Sequence, residues 1–587
     1  MESWISVYGL LAALMGMLVE VAEFWKTKIL SWWISRSPKD ELFDKLATAE
    51  TFDEWQAAAF RLDELLSHDL WRQNPVSKHY DHRLIVGRLE AIVHSREEED
   101  VLTLVNLLRS GLVRNLGNIA SPKLFNHAFA GTKLLIDDYI TQVARSIKYV
   151  AALETASIHD SGFTSQAKLE LLHDARQAFG RSTLVLQGGS IFGLCHLGVV
   201  KALHLQGLLP RIITGTATGA LVAALVGVHT EDELLDFLDG DSLDLTAFDR
   251  ARKSDPGEDV NGIVVNEQEG WTEILKRRVK RFLREGSFFD IRILEECVRA
   301  NVGDMTFEEA YKKSKRILNI TVATSAKSGF PNLLNYLTAP NVLIWSAALA
   351  SNASTTSLYH PVKLYCKNDS GAIIAWPHSE DIIFKSWRQT TYTDRESPLA
   401  RIAELFNVNH FIVSQARPYV VPFLRSDLQR PDQRQGSVSQ SIMRLVLVEI
   451  FHRLKQLDYL GLLPTGLRRL LIDETIPGPN LTILPDLSLA DLTKLLHRPS
   501  KEGLRYWILR GERGVWPAVS ALKVRCAVEI ELDKGYQVVR RRRDSSSESG
   551  RTQLDHAEDE EESVIRRRRA LSFDVAQGRH FAMSSSP

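Results

Sequence analysis

Two glycine-framed turns carry the residues of this chain whose types and spacing could do chemistry. One is Gly215-Thr216-Ala217-Thr218-Gly219. It has the frame of the G-x-S-x-G nucleophile elbow, with alanine where the serine should stand. In that motif a sharp strand-to-helix turn presents a serine hydroxyl, and the glycines allow the turn and the close approach of helix to strand. Alanine has no heteroatom with which to attack an ester. The other turn is Gly188-Gly189-Ser190-Ile191-Phe192-Gly193, between an apolar run and a helical pattern. Its backbone amides, helped by the helix dipole, could hold a phosphate or line an oxyanion hole. Dinucleotide binding wants G-x-G-x-x-G and an acid about 20 residues further on. The spacing here is G-G-x-x-x-G, and the chain reaches Arg211-Ile212-Ile213 without an acid.

The elements that must position these turns alternate. Leu184 to Leu186, Ile212 to Ile213, Ile317 to Ala323 and Phe411 to Ser414 are short apolar runs, read as strands buried on both faces. Glu231 to Leu238 and Thr306 to Lys315 read as helices between them. The alternation predicts an α/β core with a mainly parallel sheet over residues 182–425. Lys253 to Gln268, with Asp255-Pro256-Gly257, reads as a surface loop. Ahead of the core, residues 37–175 are helical in pattern throughout, with helix starts at Ser37-Pro38-Lys39-Asp40 and Thr51-Phe52-Asp53-Glu54. There His68, His79, His82 and His94 show no consistent spacing with carboxylates, so no metal site is expected. Helical periodicity returns over 436–539. Beyond it, 540–587 alternates arginine, serine and acidic blocks with few apolar residues, the composition of a disordered charged tail. Its basic clusters could attract anionic lipid, and Ser545 and Ser572, placed after arginine runs, are candidate phosphorylation sites that would weaken the attraction.

At 587 residues the chain exceeds a single hydrophobic core. With 44% apolar residues, 25% charged and a net charge of −1, it lacks the basic surplus of a nucleic-acid binder, so no nucleic-acid partner is expected. Four cysteines without metal or redox spacing point to reduced thiols. Residues 1–36 are the exception to the average. Ser3 to Val19 is uncharged and apolar-rich, at the lower length limit for a bilayer core of roughly 30 Å. No basic segment precedes it and no small-residue cleavage site follows, which argues against a cleaved signal peptide. Trp4, Trp25, Trp32 and Trp33 flank it, and tryptophan favours membrane interfaces. The segment is read as membrane-associating, spanning or lying flat, against the alternative of a helix docked on the main body.

Together the two turns resemble the patatin-like phospholipase family, in which a glycine loop makes the oxyanion hole and a G-x-S-x-G serine pairs with one aspartate. Gly193-Leu194-Cys195-His196-Leu197-Gly198-Val199 looks like that family's post-loop helix, which makes His196 a helix residue rather than a general base. Trp345-Ser346-Ala347-Ala348-Leu349-Ala350-Ser351, Pro361-Val362, Gly371, Trp376-Pro377 and Glu404-Leu405-Phe406-Asn407-Val408-Asn409-His410-Phe411-Ile412-Val413-Ser414-Gln415 resemble its triacylglycerol-lipase branch. The likeness covers about Ser31 to Val539. It implies a patatin-like α/β core flanked by helical N- and C-terminal regions. It also implies an oxyanion loop of Gly188, Gly189, Ser190 and Gly193, elbow glycines Gly215 and Gly219, and no cofactor or metal.

Against that pattern two positions depart. The elbow serine falls on Ala217. The acid/base aspartate of a D-G-[GAS] motif, counted back from Ser397-Pro398, falls near Thr390, where no Asp-Gly occurs. Ser190 remains an alternative nucleophile, with Asp381 or Asp394 as a carboxylate, whereas Thr216 and Thr218 are expected to point away from the oxyanion hole. The implied ligand is triacylglycerol or phospholipid at a membrane or lipid-droplet surface, on the cytosolic face of the endoplasmic reticulum or on the droplet. Two functions stay open: a lipid acyl-hydrolase with atypical activity, and a non-catalytic lipid-binding or regulatory protein, with an active paralogue as candidate partner.

Overall fold

The computed structural model describes residues 38–153, 163–188, 190–247, 250, 291–322, 332–352, 363–376, 397–416, 480–485, 491 and 501–547, with scattered positions between 15 and 26 and between 442 and 478. The chain divides into two compact units. One holds Met1–Trp71 with Ala128–Ala130, and the other holds Arg72–His127 with Gly131–Pro587.

In the first unit, α1 (Pro38–Thr48) packs on α2 (Phe52–Leu65). Thr51 caps α2 as its sequence predicts, its side chain accepting the Glu54 amide. Trp55, Ala58, Ala59 and Leu62 form the buried face. The buried Asp63 carboxylate accepts the amides of Phe129 and Ala130, each at 2.8 Å, and meets His68 Nδ1 at 3.2 Å. His68 is therefore a structural partner of that carboxylate. Met15, Met17, Phe24 and Trp25 are exposed on helical positions of the N-terminal segment. Among the described residues no helix is long and apolar enough to cross a membrane.

The second unit begins with α3 (His82–Glu97), α4 (Leu134–Ala152), α5 (Ser165–Phe179), β1 (Arg181–Gln187), α6 (Cys195–Leu205), β2 (Ile212–Gly215), α7 (Thr218–Val228), β3 (Ile317–Thr321) and β4 (Leu333–Leu334). It continues with α8 (Ile344–Asn352), β5 (Tyr365–Lys367), β6 (Ile373–Ala375), α9 (Pro398–Phe406), β7 (Val408–Gln415), β8 (Asn480–Ile483), α10 (Lys501–Val515) and α11 (Val519–Ser547). Six strands form one sheet in the order β4-β3-β2-β1-β7-β8, parallel except for β4 against β3, and β5 pairs with β6 apart from it. β1, β2 and β3 are buried almost throughout, as apolar runs with no alternation demand of strands covered on both faces.

Helices close the sheet. α6 crosses α10 at backbone distance, since a Cβ on Gly198 would lie 1.8 Å from the Ile508 carbonyl oxygen. α11 joins α3, α4 and α5 in a second core through Val524, Val528, Leu532, Ile85, Ile136, Ile147 and Leu171. It also reaches the start of β1, where Glu529 accepts the Ser182 amide at 2.7 Å and the Ser182 hydroxyl at 2.5 Å. Arg114 pairs with the same carboxylate at 3.1 Å and donates to the carbonyls of Gly180 and Arg525.

Two features depart from the sequence reading of the C-terminal region. β8 lies within the stretch read as helical: Asn480-Leu481-Thr482-Ile483 alternates polar and apolar side chains and buries Leu481 and Ile483 as a sheet edge. So short a run between prolines offers too little period to separate it from helix. α11 continues through Arg540–Arg543 to Ser547, where a disordered tail was expected from 540. Arginine is a good helix former, and no glycine or proline stands there to stop a helix already packed upstream. The rest of the tail, 548–587, lies outside the described residues, as do Lys253 to Gln268.

Candidate functional site

β1 and β2 pair in parallel with Leu186 opposite Gly215, so the two glycine turns leave neighbouring strands at the same end of the sheet. Gly188 turns out of β1 at φ 84°, and residues Ser190–Leu194 form one 3-10 turn before α6. Phe192 is fully buried in that turn, edge-on to Trp507 of α10 with ring centroids 5.4 Å apart. α10 thus seats the glycine loop.

At the elbow, the Thr216 amide donates to the Leu186 carbonyl at 3.1 Å, the last link between the turn and β1. Ala217 then takes φ 56°, ψ −125° at the N-terminus of α7. Side chains other than glycine rarely adopt this backbone, and holding one there costs on the order of 1–3 kcal/mol. This is the elbow tip. Gly219 allows the turn to close, because a Cβ there would lie 2.1 Å from the Leu186 carbonyl oxygen. A Cβ on Gly193 would lie 2.4 Å from Thr218 Cγ2, so the glycine loop and the elbow are in direct contact. The structure brings together Gly188, Gly193, Gly215, Ala217 and Gly219 as the sequence arranged them.

The Ala217 amide donates to Ser351 Oγ at 3.0 Å, and Ser351 Oγ donates to the Thr321 carbonyl at 2.7 Å. Ser351, at the end of α8, ties the tip of the elbow to the end of β3. In sequence this serine stands only as the last residue of the family-like stretch Trp345 to Ser351. Its signal is a lone hydroxyl closing the small-residue run Ala347-Ala348-Leu349-Ala350.

The heteroatoms around Ala217 whose partners the structure shows are already committed. Thr216 Oγ1 hydrogen-bonds Thr321 Oγ1 at 2.7 Å, so its hydroxyl is turned to β3 and away from the tip. Ser351 Oγ is engaged on both sides. Cys195 is buried, and burial pushes its thiol far above the usual range, which leaves no thiolate. His196 lies in the first turn of α6, fully buried, with Nδ1 2.8 Å from Ser414 Oγ. Burial lowers its pKa to about 4, although the carbonyls of Gln187 and Gly188 favour the charged form. It is a neutral core residue under the loop, as its place in the motif predicts. Gly189, the side chains of Ser190 and Ile191, and the segment holding Asp381, Thr390 and Asp394 lie outside the described residues. Among the described residues no group of three or more His, Cys, Asp or Glu could hold a metal ion.

Known proteins resemble this chain in sequence over most of its length. The sequence model of the patatin-like phospholipases matches residues 184–378, and that of a domain of unknown function (DUF3336) matches residues 32–177. Triacylglycerol lipase ptl1 of Schizosaccharomyces pombe is 34% identical over 489 residues, 82% of this chain and 82% of its own length. Triacylglycerol lipase ptl3 of the same yeast is 31% identical over 503 residues, 85% of this chain and 97% of its own. Triacylglycerol lipase 4 of Saccharomyces cerevisiae is 32% identical over 533 residues, which span 88% of this chain but 56% of that protein.

Proposed function

Because the chain belongs to the patatin-like phospholipase family, in its triacylglycerol-lipase branch, we propose that it binds acyl esters at the elbow without cleaving them by the serine route. The observation that carries the proposal is Ala217 at φ 56°, ψ −125°. The residue occupies the tip of a folded elbow, the position from which the family's serine would attack, and it has no atom to attack with. A strained backbone held by Thr216, Gly219 and Ser351 keeps the shape of the site. In subtilisin, loss of the nucleophile alone costs on the order of 10⁶ in kcat, while oxyanion donors still bind the substrate carbonyl.

The partner position, near Thr390, follows from the resemblance alone; a threonine cannot serve as a carboxylate base. The ligand in this reading is triacylglycerol or phospholipid at a membrane or lipid-droplet surface, met on the cytosolic face of the endoplasmic reticulum or on the droplet itself. Residues 1–36 associate with that surface, 37–175 form an accessory helical region, and 182–425 hold the acyl ester. An active paralogue supplies hydrolysis where hydrolysis is needed.

Trioleoylglycerol and phosphatidylcholine hydrolysis by the wild type, Ala217→Ser and the Ala217→Ser, Thr390→Asp double variant tests this. The wild type is expected at background, with turnover appearing in the double variant. Robust wild-type turnover refutes the proposal. The names of the relatives favour a second reading, in which Ser190 replaces the missing serine. Wild-type activity lost in Ser190→Ala would establish it.

A further inference from the structure

We infer that Trp507 of α10 is a positioning residue for the glycine loop, holding it through Phe192 in the shape that receives the carbonyl of a bound acyl ester. The inference rests on the acyl-ester reading above. Three of the six residues from Gly188 to Gly193 are glycine, and Gly188 takes φ 84°. Such a loop has little stiffness of its own, while donors aimed at a carbonyl serve only when held to within about 0.5 Å. The loop therefore needs an anchor outside itself. Phe192 supplies the loop's half of that anchor. Its ring is fully buried and edge-on to the indole of Trp507, which is buried in turn. Cys195 and Ala416 complete this small core. The Ala416 amide also donates at 3.1 Å to the carbonyl of Gln187, the residue just before the loop.

The rest of α10 keeps that indole in place. Gly511 meets α6 so closely that a Cβ there would lie 2.0 Å from the Cys195 carbonyl oxygen. Glu512 pairs with Lys201 of α6 at 3.0 Å, and Lys201 reaches Asp239 at 3.0 Å as well. Beside the indole, Tyr506 stands edge-on to Trp507 at 5.1 Å and donates its hydroxyl to the buried Asp491 at 2.6 Å. Arg510 lies over the Tyr506 ring and donates to the same hydroxyl at 3.2 Å. The common effect of these contacts is to fix α10 on α6 with position 507 against the loop. An edge-to-face aromatic pair is directional, so an aliphatic side chain at 507 would fill space without orienting the Phe192 ring.

The test measures how the full chain binds monomeric dioctanoylglycerol and its dioctyl ether analogue, which lacks the carbonyls. The wild type is expected to bind the ester about tenfold more tightly, the worth of one or two hydrogen bonds. Trp507→Leu is expected to shrink this gap to about twofold with the ether affinity unchanged, and Trp507→Phe, which keeps an aromatic ring at 507, to restore most of it. Phe192→Leu removes the same contact from the loop side and is expected to do the same, which decides the matter should Trp507→Leu fail to fold. Hydrogen exchange over residues 188–197 is expected to quicken in Trp507→Leu, while residues 212–228 and 519–539 keep their wild-type protection. A gap that persists in both leucine variants overturns the inference and leaves the acyl-ester reading standing. Ester and ether weakened together, or exchange quickened in all three segments, makes Trp507 a core residue only and also overturns it. A wild type that binds both lipids equally overturns the inference, and one that binds neither sinks both readings.

Discussion

At the start of β1, Ser182 meets His410 Nδ1 at 3.2 Å and Glu529 at 2.5 Å, while at the end of the same strand the elbow leads to Ala217, with no hydroxyl at all. The base end thus holds serine, histidine and glutamate within hydrogen-bond reach, and the elbow end holds a strained strand-to-helix turn against the glycine loop. Neither set suffices. At the base, the glutamate bonds the serine rather than orienting the histidine, all three are buried, and burial with Arg114 and Arg525 nearby drives His410 well below its usual pKa. At the elbow, the strained tip touches the glycine loop, yet the Thr216 and Ser351 hydroxyls are turned into structural bonds. Residue types without geometry make a clamp at the base; in the proposed function, geometry without the residue makes a binding frame at the elbow.

Substitutions can break this contrast. Glu529→Ala strands Arg114 in a buried site and is expected to cost roughly 3–5 kcal/mol in denaturant unfolding, with Glu529→Gln costing less because it keeps hydrogen bonds to Ser182. A loss under about 1 kcal/mol would mean the base is no clamp.

Acid sharpens the contrast from the other end. His196 and His410 both have folded pKa values below the unfolded value, so their contribution is present above about pH 6.5 and is lost as pH falls toward the folded pKa. Burial raises the Glu529 carboxyl, and this acts in the opposite sense. With the His196 pKa near 4, replacing it by Asn is expected to remove about 3 kcal/mol of the pH dependence between pH 6.5 and 4. An unchanged profile would place His196 in contact with water.

The smallest effect concerns strain. Ala217→Gly relieves a backbone that alanine rarely adopts but loosens the unfolded chain, so a net gain of about 1 kcal/mol is expected in thermal or denaturant unfolding. A loss would show that Ala217 is unstrained.

Much of the elbow end is legible in the sequence. Leu184 to Leu186 and Ile212 to Ile213 are apolar runs ending in glycine turns, and both the strand type and the turn position follow from local pattern. The parallel register that sets Leu186 against Gly215 is tertiary, and so is the reach of α8 that brings Ser351 to the Ala217 amide. The base clamp was hidden for the same reason. Arg114, Ser182, His410 and Glu529 lie far apart in sequence, and each alone reads as an ordinary polar residue. β8 escaped because four alternating residues between prolines have no period to measure. The resemblance supplied the identity of the Ala217 position, and the backbone of the elbow supplies its physical meaning.

The most direct measurement is fluorophosphonate labelling of the purified full chain, read by peptide mass spectrometry with Ala217→Ser alongside. A disarmed elbow predicts no adduct on any serine of the wild type and an adduct at position 217 in the variant. A stoichiometric adduct on a wild-type serine, at Ser190 or elsewhere, would contradict it.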